Sequence, residues 1–171
     1  MTIAADNFSR RLVVSGGLAL GGFLFVGCAP SDGAEGDAAA AAPAAGAAAA
    51  MTVWRDPSCG CCEAWARLAG DAGYEVRLVD DPDMAAVKRR LGVPAALGSC
   101  HSALVGGYAI EGHVPFAPIR RLLRERPRGV KGLAVPGMPR GSPGMEMPDG
   151  STDEFAVMAF DAAGRSAPYR A

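Results

Sequence analysis

The chain has 171 residues and a formal net charge of −1, and only 6% of its residues are aromatic. This length allows one folded domain of moderate size, and the near-neutral charge points to no particular class of partner. The basic run between Arg120 and Lys131 has no interleaved aromatic residues, so nucleic-acid binding is not expected and the run is interpreted as the solvated face and exit of a helix.

Residues 1–28 are predicted to be a twin-arginine-type export signal. Arg10 and Arg11 precede a glycine-rich apolar stretch that is shorter than the about 20 residues of a transmembrane helix. The stretch ends at Phe25-Val26-Gly27-Cys28, which resembles a lipoprotein processing site with phenylalanine in place of the usual leucine. We therefore predict that Cys28 is lipidated, which would hold the exported protein at the periplasmic face of a bacterial membrane. The alternative is a plainly cleaved signal in which Cys28 is incidental.

Residues 29–50 are almost entirely alanine, glycine and proline with a few acidic residues. They lack the large apolar side chains that a core needs, so they are predicted to be a flexible linker. The folded, metal-binding domain is accordingly predicted to span residues 51–171.

Within that domain, apolar runs and turn residues predict alternating strands and helices. The predicted elements, in chain order, are a strand at Thr52–Trp54, a helix from Cys62 to about Gly70, a strand at Glu75–Val79, a helix at Asp83–Leu91, a hairpin of Ser102–Val105 and Tyr108–Ile110, and a helix at Pro115–Arg126. The first strand, helix and strand form a βαβ unit, whose crossover favours parallel strands.

This order of elements is typical of a thioredoxin-like domain, an α/β fold in which helices flank a mixed sheet. Beyond it, the segment from Gly129 to Met147 holds so many proline, glycine and methionine residues that an irregular loop is expected. A C-terminal hairpin of Phe155–Phe160 and about Ser166–Tyr169 is predicted to pair with the sheet edge.

Three cysteines lie together at the first strand-to-helix turn, in Cys59-Gly60-Cys61-Cys62. A helix N-terminus stabilises thiolates, and the thiolate is both the metal ligand and the nucleophile, so the turn suits soft-metal binding or thiol–disulfide chemistry. A fourth thiol, Cys100, and the two histidines of the chain, His101 and His113, flank the predicted hairpin. In a thioredoxin-like arrangement the Cys100–His101 loop faces the cysteine turn.

Two disulfide-based alternatives remain open. Cys59 and Cys62 have the spacing to pair, and Cys61 could then reach Cys100, so that the cysteines would be purely structural. A thiol–disulfide oxidoreductase would use Cys59 and Cys62 as its dithiol. Against that activity, Cys61 adds a third thiol, and Cys100 lies in the loop where the thioredoxin fold carries a cis-proline.

For a metal site, four thiolates with one or two imidazoles favour Cu(I) or Zn(II). Zinc would take a closed set such as three cysteines and one histidine, whereas adjacent thiolates bridge several Cu(I) ions more naturally. The thioethers of Met138, Met145 and Met147 lie in the irregular loop and add to the case for copper. Met138 is predicted to be an exchange ligand from a loop that covers the site.

The domain resembles the domain-of-unknown-function four-eleven family, which contains the CopG-like periplasmic copper-resistance proteins. The shared landmarks are Pro57-Ser58-Cys59-Gly60-Cys61-Cys62, Leu91-Gly92-Val93-Pro94, Ser99-Cys100-His101, Val105-Gly106-Gly107-Tyr108, Ile110-Glu111-Gly112-His113-Val114-Pro115, Lys131-Gly132-Leu133-Ala134-Val135-Pro136-Gly137-Met138-Pro139 and Gly141-Ser142-Pro143-Gly144-Met145-Glu146.

This resemblance implies a thioredoxin-like fold that binds copper through Cys59, Cys61, Cys62 and Cys100, with His101 or His113 beside them. It also implies a contribution to copper resistance in the periplasm by Cu(I)/Cu(II) redox chemistry, with other periplasmic copper-handling proteins as partners. A non-catalytic copper carrier and a thiol–disulfide oxidoreductase remain the alternatives.

Overall fold

The computed structural model describes residues 48–170. The predicted export signal, Cys28 and nearly all of the predicted linker therefore lie outside the described residues. The elements are β1 Ala50–Arg55, α1 Gly60–Asp71, β2 Glu75–Asp80, α2 Met84–Leu91, a short 3₁₀ helix Ala95–Leu97, β3 His101–Val105, β4 Tyr108–Glu111, α3 Phe116–Glu125, β5 Gly132–Ala134, β6 Met158–Phe160 and β7 Ser166–Pro168. Between residues 48 and 170, no helix combines the length and the hydropathy needed to cross a membrane.

The strands form one mixed sheet in the order β2-β1-β3-β4-β5-β6-β7. β1 is parallel to β2, as the βαβ unit requires, and antiparallel to β3; the β4–β5 pair is also parallel. The predicted α/β class with a mixed sheet is confirmed, and the arrangement is compatible with a thioredoxin-like domain.

Each face of the sheet has its own hydrophobic core, because successive strand residues point to opposite sides. Val53 and Ile110 pack on the face that carries Trp65 of α1 and Ile119 of α3. Their sequence neighbours Trp54 and Ala109 pack on the other face, with Val87 and Leu91 of α2. Helices therefore cover both faces, as predicted.

Local capping sets the ends of the helices. The Asp56 carboxylate accepts hydrogen bonds from both the backbone N–H and the hydroxyl of Ser58, which closes the turn before α1. In α2, Asp83 caps the backbone N–H of Ala86 at 2.8 Å, and Gly92 ends the helix in the left-handed conformation. Aspartate and glycine are residue types typical of these two positions of a helix.

Several predicted boundaries are wrong, and β1 begins at Ala50, the last residue of the predicted linker and two residues before the predicted strand start. Helix α1 begins at Gly60, two residues before the predicted start, so Cys61 and Cys62 both lie in its first turn and Cys59 is its N-cap. The segment predicted to be irregular from Gly129 contains β5, a three-residue strand parallel to β4. Gly132 makes this pairing feasible, because a Cβ atom there would collide with the Ala109 carbonyl of β4.

The predicted C-terminal hairpin is confirmed but is shorter than expected. It consists of β6 and β7, and β6 joins the main sheet through β5 rather than through a strand of the predicted core. Phe155 lies before the hairpin and is 39% exposed. The remaining irregular segment, residues 135–157, connects β5 to β6.

Candidate metal centre

Strand register brings three separate segments to one end of the sheet. Arg55, the last residue of β1, is paired with His101, the first residue of β3. Ser102 is paired in turn with Glu111, the last residue of β4. The cysteine turn after β1, Cys100 before β3 and His113 after β4 must therefore meet at this end.

The four sulfur atoms of this region form one group. Those of Cys59, Cys61, Cys62 and Cys100 all lie within 4.8 Å of one another. Cys59 and Cys62 form a disulfide, which is the pairing weighed from the sequence. Cys61 Sγ lies 3.5 Å from Cys59 Sγ and 3.9 Å from Cys100 Sγ. Cys61 and Cys100 are free thiols, so the second disulfide of that alternative is not formed here.

The two imidazoles approach the same group from its buried side. Cys100 Sγ lies 3.1 Å from His113 Nε2 and 3.3 Å from His101 Nδ1. These three donor atoms also lie within 4.8 Å of one another. Cys100 thus belongs both to the sulfur group and to the Cys–His–His group, and we call the six residues together the Cys/His cluster.

The orientation of His113 leaves one ring nitrogen available to a metal. Its Nδ1 lies 2.8 Å from the carbonyl oxygen of Pro143, so Nδ1 carries the proton and donates it to that acceptor. In the neutral ring the lone pair is then on Nε2, which faces Cys100. Metal-binding histidines commonly have this arrangement, with the second nitrogen bonded to a carbonyl.

His101 is held mainly by packing. Its ring lies against the indole of Trp65, with ring centroids 4.7 Å apart, and Trp65 Nε1 donates to the carbonyl of Val114 at 3.1 Å. Nδ1 of His101 faces Cys100, whereas its buried Nε2 has no hydrogen-bond partner within residues 48–170. The indole thus shields the cluster from one side, as well as contributing to the core.

Burial favours the uncharged forms of Cys100 and the two imidazoles. It raises the pKa of the Cys100 thiol to about 12, and the nearby Cys61 adds to the effect. It lowers the pKa of His101 well below the ordinary value, with further lowering from His113 and Lys88. The pKa of His113 is lowered too, although Pro143 and Glu146 partly oppose the shift. At neutral pH the imidazoles are therefore free bases, and a metal ion must displace the proton of Cys100.

Two charged residues near the cluster were not singled out from the sequence. Arg55 donates from Nη1 to the carbonyl of Cys59 at 3.0 Å, and its Nε lies 2.9 Å from Asp80 Oδ1. Glu111 is completely buried beside the Cys100–His101 segment. An acidic residue at the end of an otherwise apolar strand, as in Tyr108–Glu111, is the signal that could have identified Glu111.

The irregular loop packs over the cluster, as expected from the sequence. Pro143 contributes the carbonyl that orients His113, and the next residue, Gly144, lies against the first turn of α1. A Cβ atom at Gly144 would lie 2.8 Å from the backbone nitrogen of Trp65 and 3.0 Å from the carbonyl oxygen of Cys61. Gly144 also has a φ of 81°, which favours glycine.

Two methionines of the loop have exposed side chains. Met138 is 54% exposed and lines a surface depression together with Phe155 and Met158. Met147 is also exposed. Metal binding by Met138 stays a prediction.

Comparisons with known proteins place the chain among relatives linked to copper. Residues 97–145 match the family model described as "Protein of unknown function, DUF411". A solved structure described as "Copper resistance protein copG- Form 1" is 44% identical, with a TM-score of 0.65, and the match covers 70% of this chain and 93% of that chain. Form 2 is 42% identical with the same TM-score, over 72% of this chain and 99% of that chain. No curated protein matches significantly.

We predict that Gly144→Ala opens the loop over the cluster. The added methyl group overlaps the backbone of α1, and overpacking of this kind costs about 1–3 kcal/mol, so modification of Cys61 and Cys100 by a thiol reagent should be roughly tenfold faster. Gly150→Ala is the control, because Gly150 has a similar φ of 71° but nothing lies within 4 Å of its Cβ position. Equal rates in the two variants would show that the loop does not cover the thiols.

Proposed function

The chain belongs to the CopG-like DUF411 family of copper-resistance proteins, and on that premise we propose that it binds copper as Cu(I) in the Cys/His cluster. The observation that carries the proposal is the position of Cys100. Its sulfur is shared between a group of four cysteines and a group with two imidazoles. By this binding the protein contributes to copper resistance in the periplasm.

The donor atoms fit a soft cation. Thiolates and imidazoles are the ligands that Cu(I) prefers, and the cluster offers them in a half-buried site against which the loop packs at Pro143 and Gly144. A single zinc ion would use four donors in a tetrahedron, whereas six converge here through the shared sulfur of Cys100. This surplus favours more than one Cu(I) ion bridged by thiolates, with zinc as the alternative metal.

The disulfide adds a redox element to the proposal. All four thiolates become available only when the Cys59–Cys62 bond is reduced, which takes two electrons. In the opposite direction, the two thiolates would reduce two Cu(II) ions to Cu(I) as the disulfide forms, because a dithiol is a stronger reductant than Cu(I). Two of the proposed ligands, Cys59 and Cys62, are therefore also a two-electron redox couple, which suits interconversion of the two copper states.

We predict that the reduced protein, titrated anaerobically with Cu(I) against a chromogenic Cu(I) chelator, holds more than one ion per chain. Cys100→Ser should lose at least one of them, because this sulfur belongs to both donor groups. Cys28→Ser is the matched control and should bind as many ions as the wild type. If Cys100→Ser and Cys28→Ser bind equally, the Cys/His cluster is not the copper site.

A thiol–disulfide oxidoreductase is the second candidate, and the Cys59–Cys62 disulfide is the observation that favours it. The free thiols of Cys61 and Cys100, which lie close to this disulfide, argue against that activity. Cys61 lies 3.5 Å from Cys59, and Cys100 lies 3.9 Å from Cys61, so both would compete with a substrate for the mixed disulfide.

His113→Ala distinguishes the two candidates. For copper binding we expect weaker retention of Cu(I) against the chelator, because the imidazole that faces Cys100 is lost. For disulfide exchange the same variant should reduce a model disulfide at the rate of the wild type, and Cys59→Ser should abolish that activity. Unchanged copper retention together with His113-independent disulfide reduction would favour the oxidoreductase.

The location of the protein is proposed from the N-terminal sequence. We propose that residues 1–28 direct export, that Cys28 carries a lipid anchor and that residues 29–50 tether domain 51–171 to the periplasmic face of the membrane. The protein would then meet the membrane only through the anchor, within reach of other periplasmic copper-handling proteins.

Cell fractionation tests the anchor. We expect the wild type in the membrane fraction and Cys28→Ser in the soluble periplasmic fraction, because the variant lacks the thiol that carries the lipid. A wild-type protein that is soluble in the periplasm would instead support the plainly cleaved signal.

A further inference from the structure

An ion pair with a fully buried carboxylate, formed by Glu111 and the partly exposed Lys88, lies directly beneath the Cys100–His101 segment. The side chain of Glu111 has no solvent exposure, and Lys88 Nζ of α2 lies 2.5 Å from its Oε1. The backbone N–H of Ser99 donates to the same oxygen at 2.6 Å, and the Ser102 hydroxyl donates to Oε2 at 2.5 Å. A buried charge is costly unless it is paired and hydrogen-bonded, and this carboxylate has both kinds of partner.

The partners of Glu111 bracket the cluster residues. Ser99 immediately precedes Cys100, and Ser102 immediately follows His101. One carboxylate thus holds both ends of the dipeptide that supplies two of the proposed ligands. Glu111 is also the last residue of β4 and lies two residues before His113. The same strand end therefore positions His113, the third member of the Cys–His–His group.

The backbone around Glu111 strengthens this connection. The N–H of Gly112 donates to the carbonyl of His101 at 2.9 Å, and the N–H of Val135 donates to the carbonyl of Glu111 at 3.0 Å. No side chain fits at Gly112, because a Cβ atom there would lie 2.7 Å from the carbonyl oxygen of Val135. The segment that carries Cys100 and His101 is therefore fixed both by this backbone and by the Glu111 carboxylate.

We propose that Glu111, paired with Lys88, is a positioning residue for copper binding, which sets Cys100 and His101 at the distance from His113 that the metal requires. It acts through Ser99 and Ser102 and does not itself ligate the metal. This inference rests on the proposed function. It assigns to the Lys88–Glu111 ion pair a role in copper affinity, in addition to any contribution to the stability of the fold.

The charge of Glu111 matters as well as its shape. Glutamine has nearly the same shape, but its amide cannot balance the Lys88 ammonium, which also donates to Ser102 Oγ at 3.2 Å. Glu111→Gln would leave a poorly paired cation beside His101 and place an N–H₂ donor where a carboxylate oxygen now accepts. The Cys100–His101 segment should then shift to relieve this mismatch.

The test compares Glu111→Gln with Glu125→Gln in the full chain. Glu125 also pairs with a cation, Arg121, at 2.8 Å, but its side chain is 43% exposed and lies on α3. We expect Glu111→Gln to retain Cu(I) about 10–100-fold more weakly in the chelator competition, the usual effect of losing a residue that orients metal ligands. The ultraviolet absorption of the bound Cu(I)–thiolate groups should also change. Glu125→Gln should match the wild type in both.

Ser102→Ala is the second variant, in case Glu111→Gln folds poorly. It removes one hydrogen bond to the carboxylate but no charge, so a smaller weakening with the same spectral change is expected. If the folded variants are less stable to heat but bind Cu(I) with wild-type affinity and spectrum, the ion pair is purely structural and the inference is wrong. If the wild type itself retains no Cu(I), the proposed function fails first.

Discussion

In-register antiparallel pairing of β1 with β3 sets Arg55 opposite His101, and the contact between the cysteine turn and Cys100 depends on this pairing. The cysteine turn that leaves β1 and the Cys100 that enters β3 are thereby forced together. Pairing of β3 with β4 brings His113 to the same place. The sheet thus gathers donors from residues 59 to 113, although no short stretch of chain contains more than three of them. A metal that bound them would in turn link α1, β3 and the end of β4.

Burial determines the chemical state of this cluster before any metal arrives. The Cys100 thiol stays protonated and both imidazoles stay neutral, so a metal ion that bound Cys100 would release a proton from its sulfur. The loop contributes twice, since Pro143 orients His113 and Gly144 lies directly against α1. Beneath the cluster, Glu111 and Lys88 form an ion pair whose opposite charges cancel, so the pair adds no net charge next to the proposed thiolate ligands.

Much of this arrangement could be predicted from the sequence, because the thiols and histidines are few and fall at the ends of recognisable strands and helices. The features that were missed depend on partners distant in the chain. β5 has only three residues and is a strand because Gly132 lets it approach Ala109 of β4. The early start of α1 was missed because Gly60 is a weak helix former. The hydrogen-bonded turn at Asp56 places it at the start of the helix. Lys88 and Glu111 are 23 residues apart, so their pairing gives no local pattern.

The central claim is that the cysteine sulfurs and an imidazole bind copper together. Copper K-edge X-ray absorption of the reduced, Cu(I)-loaded protein tests this most directly, because it identifies the atoms bound to the metal. We predict a first shell dominated by sulfur with a smaller nitrogen contribution, and a copper–copper distance that reveals bridging thiolates. A first shell of nitrogen and oxygen alone would contradict the account, because copper would then be bound away from the Cys/His cluster.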